Sequence, residues 1–159
     1  MIDDVKRVHQ NYRAILVAAI VCFLFEMAWY SYFLLAWLDG IGHNQQWLTL
    51  VGGNFGLQSI TAFLCEAVIA AAISFITQLT GPQTVIRGIR VAALLWFAFV
   101  LTTWATENVI EVRTYRIFAI NTGLWLIGMI IMGAIVGGWK AKSRSQTREN
   151  IIGRIAASK

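Results

Sequence analysis

Charge is the scarcest commodity in this chain. Only 13% of its 159 residues are Asp, Glu, Lys or Arg, about half the share of an ordinary soluble domain. Pro82 is the single proline, so long helices can run without interruption. The two cysteines, Cys22 and Cys65, both fall inside apolar runs. That argues against a disulfide framework and leaves them as small buried hydrophobes. The two histidines, His9 and His43, lie outside those runs, so neither a bis-histidine haem site nor a clustered zinc site can be built from them. No stretch alternates polar and apolar residues over the length of a barrel strand. There is no Ser-His-Asp set, no phosphate-binding glycine loop and no dinucleotide fingerprint. Neither a cofactor nor a metal is expected.

What is present is hydrophobicity, at 58% of residues, with 7 Trp and 9 Phe. Four segments are long enough to cross a bilayer as helices, which takes roughly 20 apolar residues. They are Ala14–Leu38, about Ser59–Leu79, about Val91–Ile110 and about Ile117–Trp139. The second closes at Thr80-Gly81-Pro82, where proline cannot continue a helix. The third has a polar outer end, carrying Glu107, Asn108 and Glu111. The expected fold is all-α: a polytopic membrane protein built as a four-helix transmembrane bundle over residues 1–139, with a basic tail at 140–159. The first run is too long for the core of a cleavable signal and lacks a small-residue cleavage site, so it reads as a retained anchor.

The net charge of +5 does not imply nucleic acid, because the basic residues cluster at the ends of apolar segments rather than in a groove-reading motif. Lys6, Arg7 and Arg13 precede the first span, Arg87 and Arg90 lie between the second and third, and six more fill the tail from Lys140 to Lys159. Arg113 and Arg116 alone fall on the other side. By the positive-inside rule both termini are cytoplasmic. Trp37, Trp47, Tyr115 and Trp139 stand near span ends, as interfacial aromatic belts do. The tail, with Ile151, Ile152 and Ile155, has the makings of a short interfacial helix on anionic lipid, or of a solvated tail.

Two carboxylates interrupt this apolar pattern: Glu26 at the centre of the first span and Glu66 in the second. A charge at that depth costs several kcal/mol, so it is rare unless it faces a partner or a cavity. In the first span Cys22, Glu26, Trp29, Tyr30, Phe33 and Trp37 share one helical stripe. Trp96, Val100, Thr103, Glu107 and Glu111 do the same in the third, and Asn121, Trp125, Gly128 and Met132 in the fourth. The polar groups gather in the outer half of the bundle, beneath the 39–58 connection, while the inner half of the second and fourth spans reads as almost purely apolar. The expected site is an outward-facing pocket of Glu26, Glu66, Trp29, Tyr30, Glu107, Asn108, Asn121 and Trp125, with ring faces available to a cation.

Each of these residues also has a plain structural use. Aromatic stripes pack bundles more often than they bind ligands. Glu26 can be a protonated acid hydrogen-bonded to Tyr30 or a nearby Asn, Glu107 and Glu111 can pair with Arg113 and Arg116, and Asn121 can bridge helices. Gly133 and Gly137, with Ala70 to Ala72, form small-residue patterns that allow close helix approach, within the chain or between copies.

Several stretches resemble a bacterial family of small membrane proteins known as domain of unknown function 1761. They are Ala28-Trp29-Tyr30-Ser31 followed by Trp37, Leu95-Trp96-Phe97-Ala98-Phe99, Glu107-Asn108, Ile120-Asn121-Thr122-Gly123 and Met132-Gly133-Ala134. The resemblance covers most of residues 14–139 and leaves out the tail. It implies a four-helix protein of the bacterial cytoplasmic (inner) membrane, and supplies no reaction, substrate or cofactor.

Three functions fit these residues. The leading one is proton-coupled transport or binding of a small lipophilic or cationic molecule, superficially like the four-helix multidrug exporters, with Glu26 exchanging a proton for the ligand and Trp29, Tyr30 and Trp125 as walls. The second is an intramembrane enzyme performing acid/base isomerisation or cyclisation of a lipophilic substrate. The third is an accessory subunit of a membrane complex. The partners expected are the bilayer, anionic lipid at the tail and a second copy of the chain, and no nucleic acid.

Overall fold

The computed structural model describes residues 8–51 and 53–139. Lys6, Arg7 and the whole basic tail lie outside the described residues, and with them the interfacial-helix reading of Ile151, Ile152 and Ile155. Among the described residues the chain is helical from end to end: α1 (Tyr12–Gly40), a short α2 (Gln45–Leu50), α3 (Phe55–Leu79), α4 (Val85–Leu95), a π-helical segment (Trp96–Leu101), α5 (Thr102–Ile110) and α6 (Tyr115–Gly138). α4, the π segment and α5 form one continuous 26-residue rod, Val85–Ile110, and with α1, α3 and α6 make four helices long and apolar enough to cross a membrane.

Helix starts are set by side-chain caps that counting apolar residues does not register. Asn11 accepts from the backbone N–H of Ala14, Asn54 from Leu57 and Thr84 from Arg87, each satisfying an N–H that the first helical turn leaves without a partner. The second span therefore begins at Phe55 rather than near Ser59, and the third at Val85 rather than near Val91. Arg87 and Arg90, expected in a connecting loop, belong to the first turns of α4. Asn44 caps α2 in the same way, so the 39–58 connection carries a helix of its own. Gly42 and Gly81 adopt positive φ at the turns after α1 and α3, where a side chain would be strained.

α6 is the hub. It packs along α1, α3 and α4 and touches the π segment and α5 as well; half of its most apolar window is buried, against 17% for the rod of the third span. The core is a column that includes Ile15, Ala18, Cys22, Ala70, Ile73, Ala92, Met132 and Val136. Close approach of α4 and α6 rests on glycines. A Cβ on Gly133 would lie 2.5 Å from the Gly88 carbonyl oxygen, and one on Gly137 2.5 Å from that of Thr84. The Gly133/Gly137 pattern is thus used within the chain, and its partner is Gly88 with Ala92 on α4; Ala70 belongs to the core column, on the buried face of α3. Outside, the bundle is as apolar as inside: Leu24, Val68 and Phe97 are each 60% exposed or more. Soluble monomers rarely show contiguous apolar surface on this scale, whereas lipid tails accept it.

Candidate functional site

Glu66 is the most deeply placed acid among the described residues, only 1% exposed, eleven residues into α3. α1 runs antiparallel to it and brings Glu26 and Cys22, one turn apart, to the same level. The carboxyls of Glu26 and Glu66 interact directly, and the thiol of Cys22 reaches Glu66. Gly128 on α6 makes room behind that thiol, since a Cβ there would sit 2.9 Å from the Cys22 sulfur. No N–H or hydroxyl of the described residues donates to Glu26 Oε2 or to either oxygen of Glu66. Helix spacing alone could not say whether the two acids meet, because it does not fix the rotation of one helix against another.

Just beyond the acids, three side chains tie α1 and the π segment to one stretch of α6. Trp29 Nε1 donates to the carbonyl of Ile120 at 3.2 Å, Tyr30 Oη to Asn121 Oδ1 at 3.2 Å, and Trp96 Nε1 to the carbonyl of Thr122 at 3.0 Å. In apolar surroundings an indole N–H or phenol without an acceptor is costly, so these bonds fix the rotation of each helix. Asn121 is 2% exposed and serves as a bridge between α1 and α6. Tyr30, expected as a partner of Glu26, is turned to Asn121 instead. Around Trp29 a file of rings continues, with Phe25 at 5.6 Å and Phe33 at 4.8 Å between centroids. Trp125 is half-buried against the core column that contains Cys22.

Glu107 and Asn108 are not part of this group. The stripe expected on the third span holds for Trp96 and Val100, which pack inward, and then fails: Thr103 and Glu107 are exposed while Trp104 and Asn108 are half-buried. The π segment is the reason. Its wider turns add about one residue relative to α-helical spacing, so the face beyond it advances by one position. Asn108 is used locally, its side-chain N–H donating to the carbonyl of Arg113 at 3.4 Å in the turn between α5 and α6. Of the expected surface pairs, Glu111 does meet Arg113, whereas Arg116 pairs with Asp39 at 3.2 Å rather than with Glu107.

A recess of about 320 Å³ does lie at the connection between α1 and α3, lined by His43, Trp47, Leu50 and neighbours on and flanking α2, with His43 and Trp47 stacked at 4.2 Å. None of the residues expected at the pocket lines it. The C-terminal half of α3, expected to be almost purely apolar, departs from that expectation, because its buried face carries Ser74 and Thr77, and Gln78 lies beside them. Isolated Ser, Thr and Gln in an apolar run read as tolerated polar substitutions, and a helical face count through Glu66 would have flagged Ser74 and Thr77.

These features define a class: a small all-helical protein with four membrane-length apolar helices around a carboxyl pair, of which Glu66 is buried and Glu26 half-buried. The family described as protein of unknown function (DUF1761) matches residues 13–137, and the chain belongs to that family. No curated protein and no solved structure matches it.

Proposed function

We propose that the protein is a multi-pass protein of the bacterial cytoplasmic membrane, both termini inside, in which the Glu26–Glu66 pair holds and releases a proton. That exchange is coupled to transport or binding of a small lipophilic or cationic molecule. One observation carries the reading: Glu66, wholly buried, has another acid and a thiol as its neighbours, and no N–H or hydroxyl donor. Evolution of a bundle for packing alone favours an apolar residue there, since two negative charges in contact at low dielectric repel strongly. A proton held between the carboxyls relieves that repulsion, and a ligand of positive charge can replace it. The ring of Phe25 adjoins Glu26 in sequence, those of Trp29 and Phe33 stand one and two turns further along α1, and together they suit an apolar or cationic molecule. The proposed orientation rests on the placement of Lys and Arg, and Tyr115 and Trp139, exposed at opposite ends of α6, suit the two membrane interfaces.

Two measurements test this. Infrared spectroscopy of the protein in lipid should show a protonated-carboxyl C=O band that is lost in both Glu26→Gln and Glu66→Gln. Native mass spectrometry of protein released gently from its own membrane should show a defined small molecule on the wild type and none on Glu66→Gln. Empty wild type, or a larger subunit attached whatever residue 66 is, would overturn the coupled-ligand reading.

A further inference from the structure

The face of α3 that buries Glu66 continues through Ala70 and Ile73 to Ser74 and Thr77. Ser74 is 1% exposed and Thr77 not at all. Thr77 differs from three other threonines of the bundle in where its hydroxyl goes. Thr80, Thr106 and Thr122 each donate their hydroxyl to the carbonyl four residues earlier, whereas Thr77 Oγ1 is buried without a partner. Gln10, at the approach to α1, shows the same pattern: its Nε2 donates to the Ala71 carbonyl at 3.4 Å, and its Oε1 is buried without a partner. Gln78 joins them, donating to Ser74 Oγ and accepting from the His9 N–H. Buried polar atoms left without a protein partner are the places where ordered water is found.

Between this cluster and the carboxyl pair lies a collar of Ala18, Ala19 and Ala70, all fully buried, with Ile73. At 1.5 Å per residue, Ser74 stands roughly 12 Å and Thr77 roughly 16 Å along α3 from Glu66. That is a span a short file of waters can bridge, and alanine side chains leave the least to displace.

We propose that Gln10, Ser74 and Thr77 form a hydrated port through which the Glu26–Glu66 pair exchanges its proton with the end of the bundle where α1 begins and α6 ends. The step is proton transfer alone. The carboxyl O–H breaks as a water oxygen takes the proton, each water passes one on, and the carboxylate recovers a proton by the reverse route. Thr77 and Ser74 are positioning residues here, holding the first waters, and do not themselves change protonation state. The inference rests on the acid pair carrying a proton.

The test is hydrogen–deuterium exchange of the protonated-carboxyl infrared band after transfer of lipid-embedded protein to heavy water. In Ser74→Ala/Thr77→Val the band should keep its wild-type position while its exchange slows about tenfold or more, and Thr77→Ser should exchange as the wild type does. Thr77→Val removes a buried hydroxyl that has no partner, so the fold should tolerate it; unaltered thermal unfolding checks this, and Ala70→Val, which thickens the collar, is the independent second variant. A band that exchanges at the wild-type rate in both would overturn the port. Absence of any Glu66-dependent band in the wild type would instead overturn the proton-carrier reading beneath it.

Discussion

Between α4 and α6 the chain has given up side chains so that two backbones touch at Gly88, Gly133 and Gly137. Between α1 and α3 it keeps two acids in contact, and among the described residues no Lys or Arg pairs with either. The first interface is of the kind by which helices in hydrocarbon associate, through close packing of small residues. The second works against stability, because an apolar pair of similar volume would pack there at no electrostatic cost. On the proposed reading, the two regions separate what holds the bundle together from what carries its proton.

The largest expected effect lies at the glycine crossing. In Gly88→Ala the new Cβ falls onto the Gly133 carbonyl oxygen and lies 3.1 Å from the Gly137 Cα. Backbone cannot move aside as a flexible side chain can, so a loss of about 3 kcal/mol, at the upper end of overpacking costs, is expected. Thermal unfolding in detergent should register it as a large fall in Tm, or as failure to recover folded protein. An unchanged Tm would mean that α4 and α6 are not held at this separation.

The opposite sign is expected at the acids. Glu66→Leu removes a buried carboxyl with no N–H or hydroxyl donor and should leave stability unchanged or raise it by about 1 kcal/mol or more, while abolishing the protonated-carboxyl band. A variant more stable than wild type and inert in proton exchange would sharpen the contrast. A strongly destabilised Glu66→Leu would break it, by showing that the carboxyl is a structural contact after all.

How far the sequence foreshadows these regions differs between them. Run length alone locates all four long helices, and the faces of α1 and α6 follow from α-helical spacing because both helices are regular throughout. Glu26 and Glu66 stand out as isolated charges in apolar runs. Their contact does not, since it depends on how α1 is rotated against α3, and the rotation of α1 is held by Trp29 and Tyr30 reaching α6. Glu107 falls off the inward face because the π segment, which leaves no recognisable mark in Trp96–Leu101, advances every later residue by a position. Gly88 sits among charged residues at the start of α4 and does not read as the partner of Gly133, which only the crossing itself reveals.

A smaller loss is expected where the two regions are joined. Tyr30→Phe removes the donor to Asn121 Oδ1 and leaves a carbonyl oxygen on a residue that is 2% exposed. Interhelical hydrogen bonds of this kind contribute about 0.6 kcal/mol in membrane bundles. Chemical unfolding should show a loss of that order, and the carboxyl band should survive, because the phenol does not donate to Glu26. Loss of the band in Tyr30→Phe would place the phenol inside the proton-holding group and dissolve the separation drawn here.

Val112 provides the smallest effect and a control for the others, since it belongs to neither region. It lies in the turn between α5 and α6 with φ at 52°, a conformation that crowds a β-branched side chain, whereas the positive-φ turns after α1 and α3 are both built on glycine. Its side chain is exposed, so no packing is sacrificed by removing it. Val112→Gly should therefore gain only about 0.3 kcal/mol, because the released strain is mostly offset by the extra freedom glycine brings to the unfolded chain. A small rise in Tm with unaltered carboxyl exchange would show that stability can be moved in this bundle without touching the acids. A change in exchange would mean that the turn, by setting how α5 enters α6, controls the level at which Asn121 and Thr122 meet the helices that carry the pair.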